Sequence, residues 1–320
     1  MRLVCAAALT TVVLVAGAVD DQQFNGRWDI TVAGEPRARA WWLEVLGAGT
    51  DTIKGKFVGA PGGQIEEIPK ISVYDGELRF SFDRRYRRDG KSVQRGLYWA
   101  RLEDGKLKGT FEIEGEPASY LEWTGVRSPA IADKDDLSWK RGDPVMLFDG
   151  RELTGWSQSP APGHGPGWSV KQGLLTNAPG AGNLISDKKF WNFTLHVEFR
   201  IPPGSNSGIG LRGRYELQIV DDIGKPPTVH GNGAIYGRIA PAVNASKEPD
   251  EWQALDVRLV GRQVSVTLNG IKIIDNKTIE GITAIALDSN EADPGPIVIQ
   301  GDQGPIEIRR IVLYPLTKTH

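Results

Sequence analysis

The chain has 320 residues, and its 38 lysines and arginines against 40 aspartates and glutamates leave a formal net charge of −2. A balance so close to zero provides no global attraction to nucleic acid or to an anionic membrane, which argues against a nucleic-acid-binding protein. The length is sufficient for two domains, and the 39 glycines and 20 prolines are spread along the chain without a repeat, which indicates many turns.

The first 18 residues have the pattern of a secretory signal peptide. Arg2 precedes an almost continuously apolar run over residues 3–15, and Ala16-Gly17-Ala18 provides the small side chains of a cleavage site. The run is too short to span a bilayer comfortably, and it contains Cys5, the single cysteine of the sequence. We therefore expect an exported protein, periplasmic or extracellular, whose mature part has neither a membrane span nor a disulfide.

Alternation of apolar and polar residues, bounded by Gly, Pro, Asn and Asp, predicts an all-β protein. Residues 24–127 contain about eight expected strands, several of them separated by Asp-Gly turn pairs. This spacing predicts an up-and-down barrel or a small sandwich for the domain of residues 19–127. Gly26-Arg27-Trp28 resembles the opening of lipocalin-like barrels over three residues only, and a plain core aromatic explains Trp28 equally well.

Residues 128–144 mix proline, glycine and charge without alternation, which is typical of a linker. Residues 145–316 then contain more than ten expected strands. That number predicts a two-sheet sandwich of the jelly-roll type.

Residues 193–219 separate apolar from polar side chains, because alternate residues of a strand point to opposite faces. If the three expected strands in this range are neighbours, the apolar set is buried between the sheets: Val197, Phe199, Leu211, Leu217 and Ile219. The opposite face then carries the polar set: Glu198, Arg200, Arg212, Glu216 and Gln218. Such an array can bind a polyol, and a free carboxylate in it can serve as a base or a metal ligand. A solvated face with incidental ion pairs would give the same pattern.

Two loops add candidates for the site. The connection over residues 202–208 carries Asn206 at a strand end, and His230 lies among glycines in residues 229–233. An exposed imidazole can bind a metal or transfer a proton, although an inert loop histidine has the same surroundings. The sequence has no P-loop, no G-x-S-x-G nucleophile elbow and no H-E-x-x-H zinc motif. We expect no organic cofactor.

Several motifs of the second domain occur together in a known family. They are LFDGRELTGW at 147–156, VEFR at 197–200, NSGIGLRGRYELQI at 206–219, GAIYG at 233–237 and IQGDQGPIEIRRI at 299–311. On these motifs residues 145–316 resemble the 3-keto-disaccharide hydrolase family, whereas residues 24–127 do not. The resemblance implies a concanavalin A-like β-sandwich and a carbohydrate partner, a glycoside whose sugar carbon 3 is oxidised to a ketone.

The chemistry implied by the resemblance is elimination next to that ketone. A base removes the acidified proton on carbon 2, the anomeric oxygen leaves, and water adds back if the outcome is hydrolysis. A divalent metal ion or an arginine would polarise the ketone. The catalytic candidates are Glu198, Glu216 and His230. The substrate-binding candidates are Arg200, Asn206, Arg212, Gln218, Tyr236, Gln300, Asp302 and Gln303.

One position departs from the family pattern. Members often have a histidine in a motif like Q-G-D-H, and this chain has Gln303 there. A glutamine forms hydrogen bonds but does not transfer a proton near neutral pH. Because the fold alone does not determine activity, a non-catalytic carbohydrate-binding module and a scaffold protein remain alternatives to the enzyme.

Overall fold

The computed structural model describes residues 20–34, 40–60, 62–86, 92–159 and 167–318. The expected signal peptide over residues 1–18 lies outside these described residues. Within them almost all regular structure is β-strand, as the alternation predicts, and a single 3₁₀ turn over Asp21–Phe24 precedes the first strand. No helix of the described ranges has the length and apolar character needed to cross a membrane.

The N-terminal domain is one curled antiparallel sheet. Its nine strands within the described residues are β1 (Gly26–Val32), β2 (Trp41–Leu46), β3 (Lys54–Val58), β4 (Glu66–Glu67), β5 (Lys70–Tyr74), β6 (Glu77–Arg84), β7 (Gln94–Glu103), β8 (Lys106–Ile113) and β9 (Glu116–Arg127). Their order in the sheet is β4-β3-β2-β1-β9-β8-β7-β6-β5. Strand β1 pairs with β9, and β3 approaches β5 at the remaining seam. The barrel-like arrangement agrees with the prediction.

The adjacent residues Trp41 and Trp42 have different environments: Trp41 lies in the core of this domain, and Trp42 contacts the second domain. Trp28, Trp41 and Trp123 belong to the aromatic core of the sheet, where Phe80 and Tyr98 stack at 4.6 Å. Trp42 points to the opposite face of β2, because neighbouring side chains alternate. It is 1% exposed and packs so closely on the second domain that a Cβ at Gly281 would lie 2.8 Å from the Trp42 ring.

The second domain is a sandwich of two antiparallel sheets. Its strands are β10 (Trp139–Arg141), β11 (Val145–Phe148), β12 (Trp156–Gln158), β13 (Trp168–Lys171), β14 (Leu174–Asn177), β15 (Leu184–Phe190), β16 (Phe193–Arg200), β17 (Asn206–Leu211), β18 (Tyr215–Val220), β19 (Gln253–Val260), β20 (Gln263–Leu268), β21 (Ile271–Thr278), β22 (Gly295–Ile299) and β23 (Glu307–Lys318). The larger sheet has the order β13-β14-β23-β16-β19-β20-β21, with β10 and β11 also paired to β23. The smaller sheet has the order β12-β15-β22-β17-β18. The predicted two-sheet sandwich is confirmed, and one continuous apolar core fills it.

The segment between the domains is anchored to the sandwich. Asp133 accepts hydrogen bonds from Trp191 Nε1 at 2.7 Å and Asn192 Nδ2 at 2.8 Å, and Asp135 forms an ion pair with Arg258 at 2.6 Å. Residues 139–141 then join the larger sheet as β10, a strand that the sequence did not indicate.

A buried ionic cluster lies at the contact between the domains. Glu291, which is 0% exposed, accepts a hydrogen bond from Tyr215 Oη at 2.6 Å and is paired with Arg262 at 3.0 Å. Asp29 of β1 is 5% exposed and accepts from Ser128 Oγ. Burial, with repulsion by the Glu291 carboxylate, raises the pKa of Asp29 to about 7.

We expect Asp29→Asn to flatten the dependence of stability on pH. The wild-type carboxyl keeps its proton when folded up to about pH 7, whereas the unfolded chain loses it near 3.8. The contribution of Asp29 to the wild-type free energy of unfolding is therefore greatest below pH 4. It falls as the pH rises toward 7, by at most about 1.4 kcal/mol per pH unit. An amide does not titrate, so thermal unfolding midpoints from pH 4 to 8 should fall less steeply in the variant. Parallel curves would contradict this linkage.

Candidate active site

A polar pocket lies on the outer face of the smaller sheet. Glu216 and Gln218 alternate along β18 with the core residues Leu217 and Ile219, so they point away from the core. Both are nonetheless buried, with 4% and 3% of their surface exposed. Two polar side chains on the outside of a sheet are thus enclosed by other parts of the protein.

The free edge of β18 is covered by residues 233–237, the segment of the GAIYG motif. Tyr236 N donates to Glu216 O at 2.9 Å, and Gln218 N donates to Ala234 O at 2.9 Å. The segment makes only isolated bridges and no ladder. It places Tyr236 in the same pocket as Glu216, where the two side chains interact electrostatically.

Glycines on the neighbouring strand provide the space for these side chains. Gly208 and Gly210 of β17 lie opposite Gln218 and Glu216 in register. A Cβ added at Gly208 would be 3.0 Å from Glu216 Oε1, and one at Gly210 would be 2.9 Å from Val298 Cβ. Larger residues at these two positions would displace the carboxyl and fill the floor of the pocket.

The pocket has a volume of about 310 Å³, which is at the lower end for small-molecule sites. It brings together seven predicted site residues, Asn206, Glu216, Gln218, Tyr236, Gln300, Asp302 and Gln303. Asn183, Gly62, Ala284 and Ile285 complete the lining. The sequence analysis missed these four. Asn183, Ala284 and Ile285 lie in loops, and the last two are apolar, so nothing in the sequence marked them as site residues. Gly62 belongs to the other domain.

Three amides of the pocket have an unsatisfied oxygen. Asn206 Oδ1, Gln218 Oε1 and Gln300 Oε1 are buried and have no hydrogen-bond partner among the described residues. A buried polar atom without a partner costs about 1–3 kcal/mol. The three oxygens are closed off from the cavity, so a hydroxyl group of a ligand reaches each of them only after the amide group turns over and exchanges its oxygen with its N–H groups.

The Glu216 carboxyl is the group of the pocket best suited to act as a general acid or base near neutral pH. It forms no hydrogen bond with any side chain or backbone group in the described parts of the chain, and burial, followed by repulsion from Asp302, raises its pKa to about 7. Burial and the nearby Glu216 also raise the pKa of Tyr236 above its usual value of 10.0. At neutral pH the pocket thus holds a carboxyl near its midpoint and a protonated phenol.

His230 lies at the edge of the pocket and does not line it. Its Nε2 donates to the carbonyl oxygen of Gly62 at 2.8 Å. Its ring meets the Tyr236 ring edge-on at 4.8 Å. The imidazole is exposed, and these two contacts hold it beside Tyr236.

The prediction that Glu198 and Glu216 share one sheet face is wrong. Strand β16, which carries Glu198, pairs with β19 and β23 in the larger sheet, whereas β18 lies in the smaller one. The connection after β16 crosses from one sheet to the other. Pro202 and Pro203 have no N–H for a hairpin ladder, and Ser205 Oγ donates instead to Pro305 O at 2.6 Å.

Glu198 and Arg200 therefore lie on the outer face of the larger sheet, whereas the pocket lies on the outer face of the smaller one. Glu198 is held by Arg309 and by His196 Nε2 at 3.3 Å, and Arg200 pairs with Glu307 at 2.5 Å. The charges on this face are satisfied by one another, as in the solvated-face interpretation of the pattern.

Arg212 is also outside the pocket. It lies in the turn between β17 and β18 with φ 53°, so the side chain does not continue the alternation of β17. The guanidinium stacks on the Trp191 ring at 4.3 Å and donates to Gly261 O. It is 1% exposed and joins the turn to the loop after β19.

The pocket offers two carboxyls and three amide groups as oxygen donors toward the divalent metal ion that the resemblance implies, but not a full set of charged ligands. Among the described residues no group of three His, Cys, Asp or Glu side chains is arranged to hold a metal. The pocket contributes two carboxyls, Glu216 and Asp302. Their repulsion adds to burial in raising the pKa of Glu216, and a cation held between them would lower that pKa.

The 3-keto-alpha-glucoside-1,2-lyase-like domain matches residues 143–313. A solved structure from Parabacteroides distasonis, provisionally described as a glycosyl hydrolase, is 28% identical, with 58% of this chain and 91% of that chain covered and a TM-score of 0.47. Another from the same organism, described in the same way, is 24% identical, with 54% and 100% covered and a TM-score of 0.43. No match was found among curated proteins. Because the domain match extends over more than half of the sequence, the chain belongs to the 3-keto-alpha-glucoside-1,2-lyase-like family.

Proposed function

We propose that this protein cleaves glycosides whose sugar carbon 3 carries a ketone, by proton abstraction followed by elimination. Membership of the family supports a carbohydrate-active protein. The observation that carries the proposal is a buried carboxyl with a pKa of about 7, Glu216, in a cavity with three unpartnered amide oxygens.

The amides account for the recognition of a sugar. Once its amide group turns over, each of Asn206, Gln218 and Gln300 presents its carbonyl oxygen to a sugar hydroxyl, and the hydrogen bond removes the cost of an unsatisfied buried acceptor. Ala284 and Ile285 supply apolar surface for the ring carbons. An amide-rich lining with two carboxyls and no described lysine or arginine favours an uncharged polyol over a phosphate or a carboxylate.

The Glu216 carboxylate is the proposed base. It takes the proton from carbon 2, and the C–H electron pair forms the enolate of the neighbouring ketone. The enolate then restores the C3 ketone, forms a double bond between carbons 1 and 2, and expels the anomeric oxygen, which takes a proton from water or from the Tyr236 hydroxyl. Addition of water across the new double bond completes hydrolysis. A base with a pKa of about 7 is well matched to this step at neutral pH.

The enolate has to be stabilised by hydrogen bonds. None of the described residues that line the pocket is lysine or arginine. The N–H groups of the amides and the protonated phenol of Tyr236 are the donors that the cavity offers. Tyr236 suits this role because burial keeps its pKa high and its hydroxyl protonated.

An aryl 3-keto-glucoside tests the proposal directly. We expect release of the phenol with formation of an unsaturated 3-keto sugar or its hydrate, and in D₂O the hydrate should carry deuterium at carbon 2. We expect the reaction to proceed equally with and without a chelator, because no third His, Cys, Asp or Glu of the described residues joins Glu216 and Asp302 in the cavity. Loss of activity on chelation would instead support the divalent metal. Binding without release would contradict the proposed cleavage.

The pH dependence of cleavage follows from the carboxyl. We expect kcat/KM to increase about tenfold per pH unit below pH 7 and to level above it, because the base must be ionised and its pKa is about 7. Initial rates from pH 5 to 9 measure this. A profile that is flat between pH 5 and 8 would exclude Glu216 as the base.

Carbohydrate binding without cleavage is the second candidate. It is favoured by Gln303, which lines the pocket where the family pattern often has histidine. Gln303 Nε2 donates to Asp302 Oδ2 at 3.2 Å and cannot transfer a proton there. Calorimetric binding of an unoxidised glucoside, together with no turnover of its 3-keto form, would support this candidate over the enzyme.

We also propose that the protein is exported. The support is the sequence of residues 1–18, with its basic start, apolar run and small-residue cleavage pattern. N-terminal sequencing of the protein recovered outside the cytoplasm should begin at Val19, and a chain that retains Met1 in the cytoplasm would contradict export.

A further inference from the structure

The N-terminal domain, which lies outside the matched family domain, supplies part of the pocket wall. Gly62 lines the cavity with the residues of the sandwich. Its carbonyl oxygen accepts from His230 Nε2 at 2.8 Å. A Cβ at Gly62 would lie 3.2 Å from the hydroxyl oxygen of Tyr236 and 3.5 Å from its Cε1.

A buried arginine fixes this wall in place. Arg238, which is 8% exposed, donates to two carbonyl oxygens of the N-terminal domain, Gly63 O at 3.0 Å and Ala40 O at 3.1 Å. Its other bonds reach Glu280 O at 2.9 Å and Ile282 O at 2.7 Å in the sandwich. One guanidinium therefore joins the backbones of both domains next to the cavity.

The two backbones also meet without intervening side chains. Gly237 has φ 67°, and a Cβ there would lie 2.5 Å from Gly63 O. Ala40 belongs to the apolar core of the sandwich although it precedes β2 of the other domain. The position of Gly62 relative to Tyr236 is thus set by close packing on both sides.

Glycine is needed at position 62 because of the space around it and not because of its backbone conformation. Its φ is not in the left-handed range that glycine alone adopts readily, so the backbone would accept a side chain. A side chain there would press on Tyr236, because its Cβ would already lie 3.2 Å from the Tyr236 hydroxyl oxygen, and its outer atoms would enter the end of the cavity that the N-terminal domain closes.

From these contacts we propose that Gly62 is a specificity-determining residue of the sandwich's sugar pocket. The N-terminal domain closes one end of the cavity, so the site takes a terminal sugar, and the space at Gly62 sets how large a substituent can pass Tyr236. The inference rests on the proposed function of the pocket. It assigns to the N-terminal domain a part in substrate selection.

The test compares a compact and a bulky substrate in Gly62→Ala and Gly62→Leu. The substrates are methyl 3-keto-glucoside and a 3-keto-glucosyl disaccharide. We expect Gly62→Leu to lower kcat/KM for the disaccharide at least tenfold more than for the methyl glycoside, mainly through KM, with Gly62→Ala intermediate, since one or two methylene groups in a pocket change selectivity by about 10–200-fold. Gly142→Ala is the matched control, because its Cβ would meet only Pro315 O at 3.4 Å.

Two further measurements separate the possible failures. Calorimetry with methyl glucoside and the unoxidised disaccharide reports binding independently of turnover, and thermal unfolding shows that each variant is folded. If the wild type neither binds nor cleaves these sugars, the proposed function fails. If the wild type acts on them but the ratio between the two substrates is unchanged in folded Gly62→Leu, the selection by Gly62 is overturned while the proposed function stands.

Discussion

Glu216→Gln is expected to reduce kcat/KM on a 3-keto-glycoside by about 10²-fold or more. Glutamine keeps the shape of the side chain in the space left by Gly208 but has no basic oxygen for the proton on carbon 2. The substitution also removes a buried carboxyl whose pKa is raised to about 7, so the variant should be as stable as the wild type or more stable above pH 7. Lower activity should therefore accompany an unchanged or higher unfolding temperature.

The matched control is Glu198→Gln on the larger sheet. Its carboxyl interacts with Arg309 and His196 outside the pocket, so we expect turnover within a factor of two of the wild type. Equal losses in both variants would show that the assignment of the pocket is incorrect. Unchanged activity in Glu216→Gln would remove Glu216 as the base.

Arg238→Met is expected to lower the free energy of unfolding by about 3 kcal/mol or more. Methionine fills a similar volume but donates no hydrogen bond, so backbone oxygens at Gly63, Ala40, Glu280 and Ile282 lose a donor in a buried contact. Each buried group left unpaired costs about 1–3 kcal/mol. Burial lowers the pKa of Arg238 to about 10, and the wild-type side chain therefore remains charged at neutral pH.

Calorimetric unfolding measures this effect. We expect the variant to unfold at a lower temperature and to show separate transitions for the N-terminal domain and the sandwich, because the joint between them is weakened. Arg151→Met is the control. The Arg151 side chain is 85% exposed, and its loss should change stability by about 0.5 kcal/mol or less. An unfolding curve for Arg238→Met that matches the control would contradict the joint.

The strands and the apolar core were predictable because they depend on local alternation. Leu217 and Ile219 face the core and Glu216 and Gln218 face away from it, as the period of two requires. The first of the three strands expected within residues 193–219 corresponds to β16. A local signal of this kind determines which face a side chain takes within its own strand.

The pairing of strands was not predictable in the same way. Sequential strands are neighbours in about two-thirds of cases, and the short connection between β16 and β17 resembled one of them. In the structure this connection changes sheets, which separates Glu198 from Glu216. Arg212 was misplaced for a different reason, since the turn at φ 53° ended the alternation one residue early.

The site was predictable only where the family motifs cover it. Asn206, Gln218, Tyr236 and Gln300 lie in or next to those motifs, and all four line the cavity. Gly62 lies outside the matched region and has no side chain to indicate chemistry. Gly62 reaches the cavity through the contact of the two domains. That contact joins residues more than 150 positions apart in sequence, which no local pattern indicates.

The unsatisfied amide oxygens of Asn206, Gln218 and Gln300 couple the occupancy of the pocket to the thermal resistance of the whole protein. In the unliganded state their desolvation opposes folding, and a sugar that supplies the missing donors removes that opposition only in the native state. Melting temperature then becomes a readout of ligand identity that needs no turnover. A panel of sugars ranked by the shift each one produces would identify the ring configuration whose hydroxyls match the three acceptors.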